Sequence, residues 1–213
     1  MKPWFPAIVL ALMGLVAGLA LSLYLSSEQH RDQPRPTALL WPNPKTLSAF
    51  QLIDQHGKPF DAARLNGHWS FLFFGYTNCP DVCPSTLEFF KQLGARLATN
   101  RDLLAQPQFI LISVDPERDD PQRLREYLDY FDSKFIGLTG TPGQINSVTS
   151  QLGVLAVKVE SESDDGSYLI DHSASIFLVD PYGRLVGVFG LPHELEVIAN
   201  EFEAIVRFIE EQA

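Results

Sequence analysis

Residues 71–87 read FLFFGYTNCPDVCPSTL, and the fold turns on them. An aromatic run at 71–74 ends at Gly75 and gives way to a tight polar segment. The run is short, apolar and closed by glycine, so it predicts a buried strand rather than a helix. Beyond the polar segment, Leu87, Phe90, Gly94 and Leu97 recur at helical spacing. Pro84 suits the first turn of that helix, where a missing N–H leaves no donor unpaired. Both cysteines of the chain, Cys79 and Cys83, therefore fall in a strand-to-helix turn beside a helix N-terminus. The unpaired N–H groups and the dipole at that end favour thiolate, the form that binds soft metals and attacks disulfides.

Two cysteines are too few for a disulfide framework. A bridge across so short a loop removes little chain entropy and would make a poor staple. A working pair is the better reading, either as metal ligands or as a redox couple. No convincing fourth ligand for a structural zinc site is visible. Nor do the thiols follow the proline and threonine pattern of a peroxiredoxin. Met1 and Met13 are the only methionines, so there is no Met-rich copper tract. The formal net charge of −10 argues against a nucleic-acid partner, which needs a basic face.

Outward toward the C-terminus, strand and helix signals alternate. Residues 109–114 (FILISV) predict a second buried strand, followed by Asp115-Pro116-Glu117-Arg118-Asp119. Asp120 is a capping residue and Pro121 a first helical residue, with Leu124, Tyr127, Leu128 and Phe131 as the apolar stripe. A short strand at 135–138 precedes a capping box, Thr141 to Gln144, and a helix stopped by Gly153. Residues 154–160 and 168–171 read as strands around a solvated tip at 161–167. Residues 175–179 and 185–189 form a hairpin across Asp180-Pro181-Tyr182-Gly183. Leu195, Ile198, Phe202, Ile205 and Ile209 line a final helix. The alternation predicts an α/β domain over residues 47–213.

Outward toward the N-terminus, residues 50–60 suggest a short hairpin turning at Gly57. Residues 26–46 are polar and carry Pro34, Pro36, Pro42 and Pro44, which reads as a linker with polyproline character. Residues 6–25 are an apolar or small-residue run long enough to span a bilayer. It lacks a clean cleavage site, so residues 1–25 read as an uncleaved membrane anchor. No cysteine follows the run to carry a lipid. Lys2 on one side, with Arg31 and Arg35 on the other, leave its orientation open.

Three segments together, Gly75-Tyr76-Thr77-Asn78-Cys79-Pro80-Asp81-Val82-Cys83-Pro84, Asp115-Pro116-Glu117-Arg118-Asp119 and Asp171-His172-Ser173, resemble the Sco/SenC proteins. Those are membrane-anchored, thioredoxin-fold copper chaperones for cytochrome c oxidase. The resemblance implies a thioredoxin-like domain, a central mixed sheet flanked by helices, behind an N-terminal transmembrane helix. It implies copper held by Cys79, Cys83 and His172. It also implies delivery to the dinuclear copper site of oxidase subunit II, an upstream copper donor or thiol reductant, and a domain outside the cytoplasm. Since nothing in the N-terminal residues looks like an Arg-rich transit peptide, the expected membrane is a bacterial inner membrane, with the domain on the periplasmic side. Soft thiolates select Cu(I), and imidazole serves copper in either oxidation state. The second function to weigh is thiol–disulfide oxidoreduction, with Cys79 and Cys83 as the redox pair.

On position alone, His172 reads equally as a ligand or as a surface histidine beside a hairpin. In thioredoxin-like reductases a cis-proline precedes the strand that packs against the cysteine motif. Here Ala174 holds that place, two residues after His172. His30, His56, His68 and His193 read as structural or solvated. Asp115 and Asp119 read as helix-capping residues, with a ligand-orienting role for Asp115 as the alternative. Asp81, between the thiols, reads as an N-cap or a docking residue.

Overall fold

The strand foreseen at 71–74 is the middle of the molecule's main sheet. In the computed structural model, which describes residues 13–18, 38, 40, 43–100, 107–160 and 168–212, β4 (Ser70–Gly75) is buried along its whole length. The chain divides into two compact units, Met1–Pro36 and Thr37–Ala213. Of the first, residues 13–18 are described and are helical. The rest of the expected transmembrane run lies outside the described residues, as do most of the proline-rich stretch, His30 and the tip at 161–167. No helix among the described residues is long and apolar enough to cross a membrane.

In the second unit, β4 pairs in parallel with β5 (Gln108–Ser113) and antiparallel with β9 (Ile176–Val179). Among the described residues, the main sheet has the order β1-β10-β9-β4-β5-β6-β2-β3. The remaining members are β1 (Lys45–Thr46), β2 (Gln51–Asp54), β3 (Pro59–Asp61), β6 (Ile136–Thr139) and β10 (Arg184–Phe189). Among the described residues of this unit, the α-helices are α1 (Val82–Leu97), α2 (Pro121–Asp129), α3 (Pro142–Leu152) and α4 (Leu195–Glu210). This mixed sheet flanked by helices is the thioredoxin-like α/β arrangement. Lys45 and Thr46, at the end of the proline-rich stretch, add an edge strand to β10.

Side chains alternate along β4, so Phe71 and Phe73 share one face. On that face Phe71 packs against Phe90 of α1, Phe202 of α4, Phe109 and Phe189, with centroids 5.1–6.4 Å apart. Gly94 lets α1 lie close to the sheet, since a Cβ there would meet Phe109 at 3.1 Å. Capping follows the sequence signals. Asp120 accepts from the Arg123 N–H, and Thr141 with Gln144 closes a capping box ahead of α3. Gly153 ends α3 at φ 68°. The Asp180 turn also forms: Asp180 Oδ1 accepts from the Tyr182 and Arg184 N–H groups, and Gly183 takes φ 71°.

The expected strands around 161–167 form a separate two-stranded sheet. β7 (Ala156–Glu160) pairs antiparallel with β8 (Tyr168–His172), with Ala156 opposite His172. All five residues of β7 are exposed, whereas along β8 Tyr168, Ile170 and His172 are half-buried and Leu169 and Asp171 exposed. The hairpin thus turns the His172 side of β8 toward the main sheet.

Candidate metal centre

The turn between β4 and α1 carries the two thiols. The Cys79 N–H donates to the Tyr76 carbonyl at 3.2 Å, which tightens the turn. Cys83 is the second residue of α1 and has no exposed surface; Cys79 is half-buried, and both are free thiols. Gly75 makes room for Cys83: a Cβ at 75 would lie 2.7 Å from the sulfur and 2.9 Å from the Phe73 ring. From sequence Gly75 reads only as the end of a strand. Its close approach to the sulfur leaves no signal in a single chain.

His172 reaches this turn from the end of β8. Its Nε2 lies 3.5 Å from Cys83 Sγ, across 89 positions of chain. Its Nδ1 lies 3.1 Å from the Ser173 carbonyl, which only accepts, so in the neutral ring Nδ1 carries the proton. Nε2 keeps its lone pair for a metal. The Phe73 and Tyr76 rings flank the imidazole edge-on at 5.9 and 5.8 Å. The ligand atoms of Cys79, Cys83 and His172 all lie within 4.8 Å of one another. A small inward movement of the side chains brings such a set to one ion at bonds of roughly 2.0–2.3 Å. A cavity of about 360 Å³ opens beside it, lined by Tyr76, Cys79, Pro80, Val82, Leu169 and His172 among others. A larger hollow of about 710 Å³, between Phe50 and Gln144, shares no residue with the cluster.

The two sulfurs differ electrostatically. Cys79 is pulled down to about 4, chiefly by the hydrogen bond from the Cys83 side chain, against the cost of burial. The Asp81 and Cys83 backbone N–H groups lower it further. Cys83 is pushed well up, first by the same hydrogen bond and then by burial. At neutral pH the pair therefore holds one thiolate, on Cys79, and one proton, on Cys83.

The two aspartates after β5 stand at the same sheet end as the thiol turn, because β4 and β5 run parallel. Neither caps α2; that role belongs to Asp120. Asp119 is fully buried and accepts from the Thr77 N–H, the Thr77 hydroxyl and the Ser113 hydroxyl. It thereby fastens the start of the thiol turn. Burial raises its pKa and those hydrogen bonds oppose the rise. Asp115 pairs with Arg118 and accepts from the Tyr168 hydroxyl at 2.8 Å. Asp81 precedes α1 without a side-chain cap bond; it contributes its backbone N–H to Cys79.

Among the other histidines, His56 and His68 are exposed. His193 is half-buried against Phe89 at 5.5 Å, with burial lowering its pKa, and it hydrogen-bonds the Ala174 backbone. It braces the segment after His172 and adds no atom to the cluster.

With this geometry in hand, comparison with known proteins gives a consistent picture. The SCO1/SenC family model matches residues 41–207. An SCO2-like protein of Rickettsia prowazekii is 40% identical over 155 residues, 72% of this chain and 74% of the relative. A Stutzerimonas stutzeri protein described as copper-binding is 37% identical over 184 residues, 85% of this chain and 88% of the relative. Among solved structures, Arabidopsis thaliana ScoI with copper bound shares 35% identity at a TM-score of 0.70, covering 75% of this chain and 97% of that one. Bradyrhizobium japonicum ScoI with copper bound shares 39% identity at a TM-score of 0.65, covering 75% and 99%. A match running from the edge strand to the last helix, around the same strand–turn–helix, shows that the chain belongs to the SCO1/SenC family.

Proposed function

We propose that the chain is a copper metallochaperone that binds one copper ion through Cys79, Cys83 and His172. In this reading it releases the ion to the thiolate-rich dinuclear copper site of cytochrome c oxidase subunit II. The observation that carries the reading is the convergence of two sulfurs and one imidazole nitrogen within 4.8 Å. Two soft thiolates and a neutral nitrogen suit Cu(I), and three ligands leave room for an incoming one. Cys79 is already thiolate at neutral pH, and copper displaces the proton from Cys83. Transfer starts at Cys79, which borders the cavity, because an entering thiolate reaches that side first. Loading requires both thiols reduced, hence a reductant and a copper donor upstream. The apolar run at 6–25 supports a single-pass anchor in a bacterial inner membrane, with the domain on the periplasmic side.

The test is copper competition against a Cu(I) chelator. His172→Ala is expected to weaken retention by at least tenfold, one ligand in three being lost, with the fold intact. Undiminished retention overturns the three-ligand site.

The Cys79 thiolate beside a protonated Cys83 also favours a second reading, reduction of the disulfide form of the same recipient. Cys79 attacks one partner sulfur and expels the other as thiolate. Cys83 then gives up its proton and attacks Cys79, leaving a Cys79–Cys83 disulfide and a partner dithiol. An external dithiol must reduce the pair again. Catalytic turnover of a model disulfide by copper-free His172→Ala protein would favour this reading.

A further inference from the structure

Hairpin β7–β8 has little apolar burial to hold it in place. Val157 and Val159 are 57% and 48% exposed, and Leu169 is 50% exposed. Among the described residues, the hairpin shares no ladder with the main sheet. Yet it carries the imidazole that must meet the two sulfurs. What fastens it is a set of polar and stacking contacts at Tyr168, at the far end of β8 from His172.

The Tyr168 hydroxyl donates to Asp115 Oδ1 at 2.8 Å. The Arg118 guanidinium lies 3.6 Å over the Tyr168 ring and donates from Nη1 to the Tyr168 carbonyl at 3.1 Å. Arg118 Nε is paired with the other oxygen of Asp115. Lys158, from β7, covers the Tyr168 ring at 3.7 Å and pairs with Glu117 at 3.0 Å. Two residues further along β8, the Ile170 N–H donates to the Tyr76 hydroxyl at 3.1 Å. Tyr168, Ile170 and His172 lie on one face of β8 by the two-residue period of a strand, spanning about 13 Å. Setting the first two sets the depth and register of the third.

We propose that Asp115, Arg118 and Tyr168 form a clamp that positions His172 as the third copper ligand. The clamp acts through the hairpin and touches no metal. Its anchor is the loop whose Asp119 fastens Thr77 in the thiol turn, so five residues after β5 locate both halves of the site. Arg118 also lies 5.7 Å from the Tyr76 ring, which itself packs on His172. Its Nη2 is buried and finds no hydrogen-bond partner among the described residues. The guanidinium is thus held by its flat stacking and its fork, a geometry that lysine does not reproduce.

The inference rests on the three-ligand reading, and the experiment separates the two. Tyr168→Phe keeps the ring and removes the hydroxyl; Arg118→Lys keeps the charge and removes the fork. Each is made in the full chain, in the wild-type and His172→Ala backgrounds. In the metal-free protein, amide exchange at Ile170 and along β7 is expected to accelerate on the order of tenfold in either variant, the effect of one charge-assisted hydrogen bond. Exchange in β4 and β5 stays unchanged. Copper retention against the chelator falls by a similar factor with His172 present and does not change with alanine at 172. With Cu(II) bound, the nitrogen coupling in the electron paramagnetic resonance spectrum weakens in the variants.

A loss of retention equal in both backgrounds, or no loss with His172 present, overturns the clamp. If one variant fails to fold, the other decides by the same measurements. If His172→Ala alone leaves retention unchanged, the three-ligand site falls and the clamp with it. A clamp failure, by contrast, leaves the His172→Ala effect standing.

Discussion

Cys79 and Cys83 are four positions apart on one turn, yet the structure gives them opposite ionisation. Cys79 borders a cavity and accepts hydrogen bonds from the Cys83 thiol and two backbone N–H groups; Cys83 is enclosed by Gly75 and the Phe73 ring. A free thiol ionises near 8.5, so its alkylation rate rises about tenfold per pH unit between pH 5 and 8. With Cys79 lowered to about 4, its thiolate is fully formed across that range. Iodoacetamide is therefore expected to modify one cysteine of the reduced, metal-free protein at a rate nearly flat from pH 5 to 8, falling only as pH drops toward 4. Mass spectrometry of the peptides checks this; a tenfold rise per unit contradicts it. Gly75 bears on the other sulfur. Gly75→Ala puts a methyl 2.7 Å from Cys83 Sγ and 3.2 Å from Leu111 Cδ1, neither of which lies on a free surface. Overpacking of this kind costs about 1–3 kcal/mol. Urea unfolding is expected to show that loss, and chelator competition a weaker hold on copper, since the displaced atom is one of the three proposed ligands.

At the scale of elements, the two sheets are stabilised differently. β4 is enclosed on both faces, and Phe71 sits where α1, α4, β5 and β10 meet. Phe71→Ala is expected to destabilise the domain by about 3–5 kcal/mol. The folded fraction still binds one copper ion, because Phe71 lies one strand length from Gly75 and touches no ligand; equilibrium unfolding and metal analysis check both. The β7–β8 hairpin rests instead on Tyr168, Ile170 and a few ionic contacts. Such an element opens more easily than a core strand, because little apolar surface is lost when it lifts. Under the proposed carrier role, the third ligand belongs to an element that opens easily, which suits release of the ion.

For the whole molecule, residues 71–87 determine by themselves a buried strand, a turn with two thiols and a helix, because aromatic runs, glycine stops and helical spacing are local properties of the chain. The caps at Asp120 and Thr141 and the turn at Asp180 are legible for the same reason: each side chain bonds a backbone group within four positions. The tertiary structure alone decided that His172 Nε2 lies 3.5 Å from Cys83 Sγ, that Asp115 ties down Tyr168 rather than capping α2, and that Gly75 exists to admit a sulfur. Each of these joins segments that approach only when β4, β5 and the hairpin pack together. Chain periodicity records which face of an element is apolar. It does not record what that face will meet, because the meeting is set by strand order and register across the sheet.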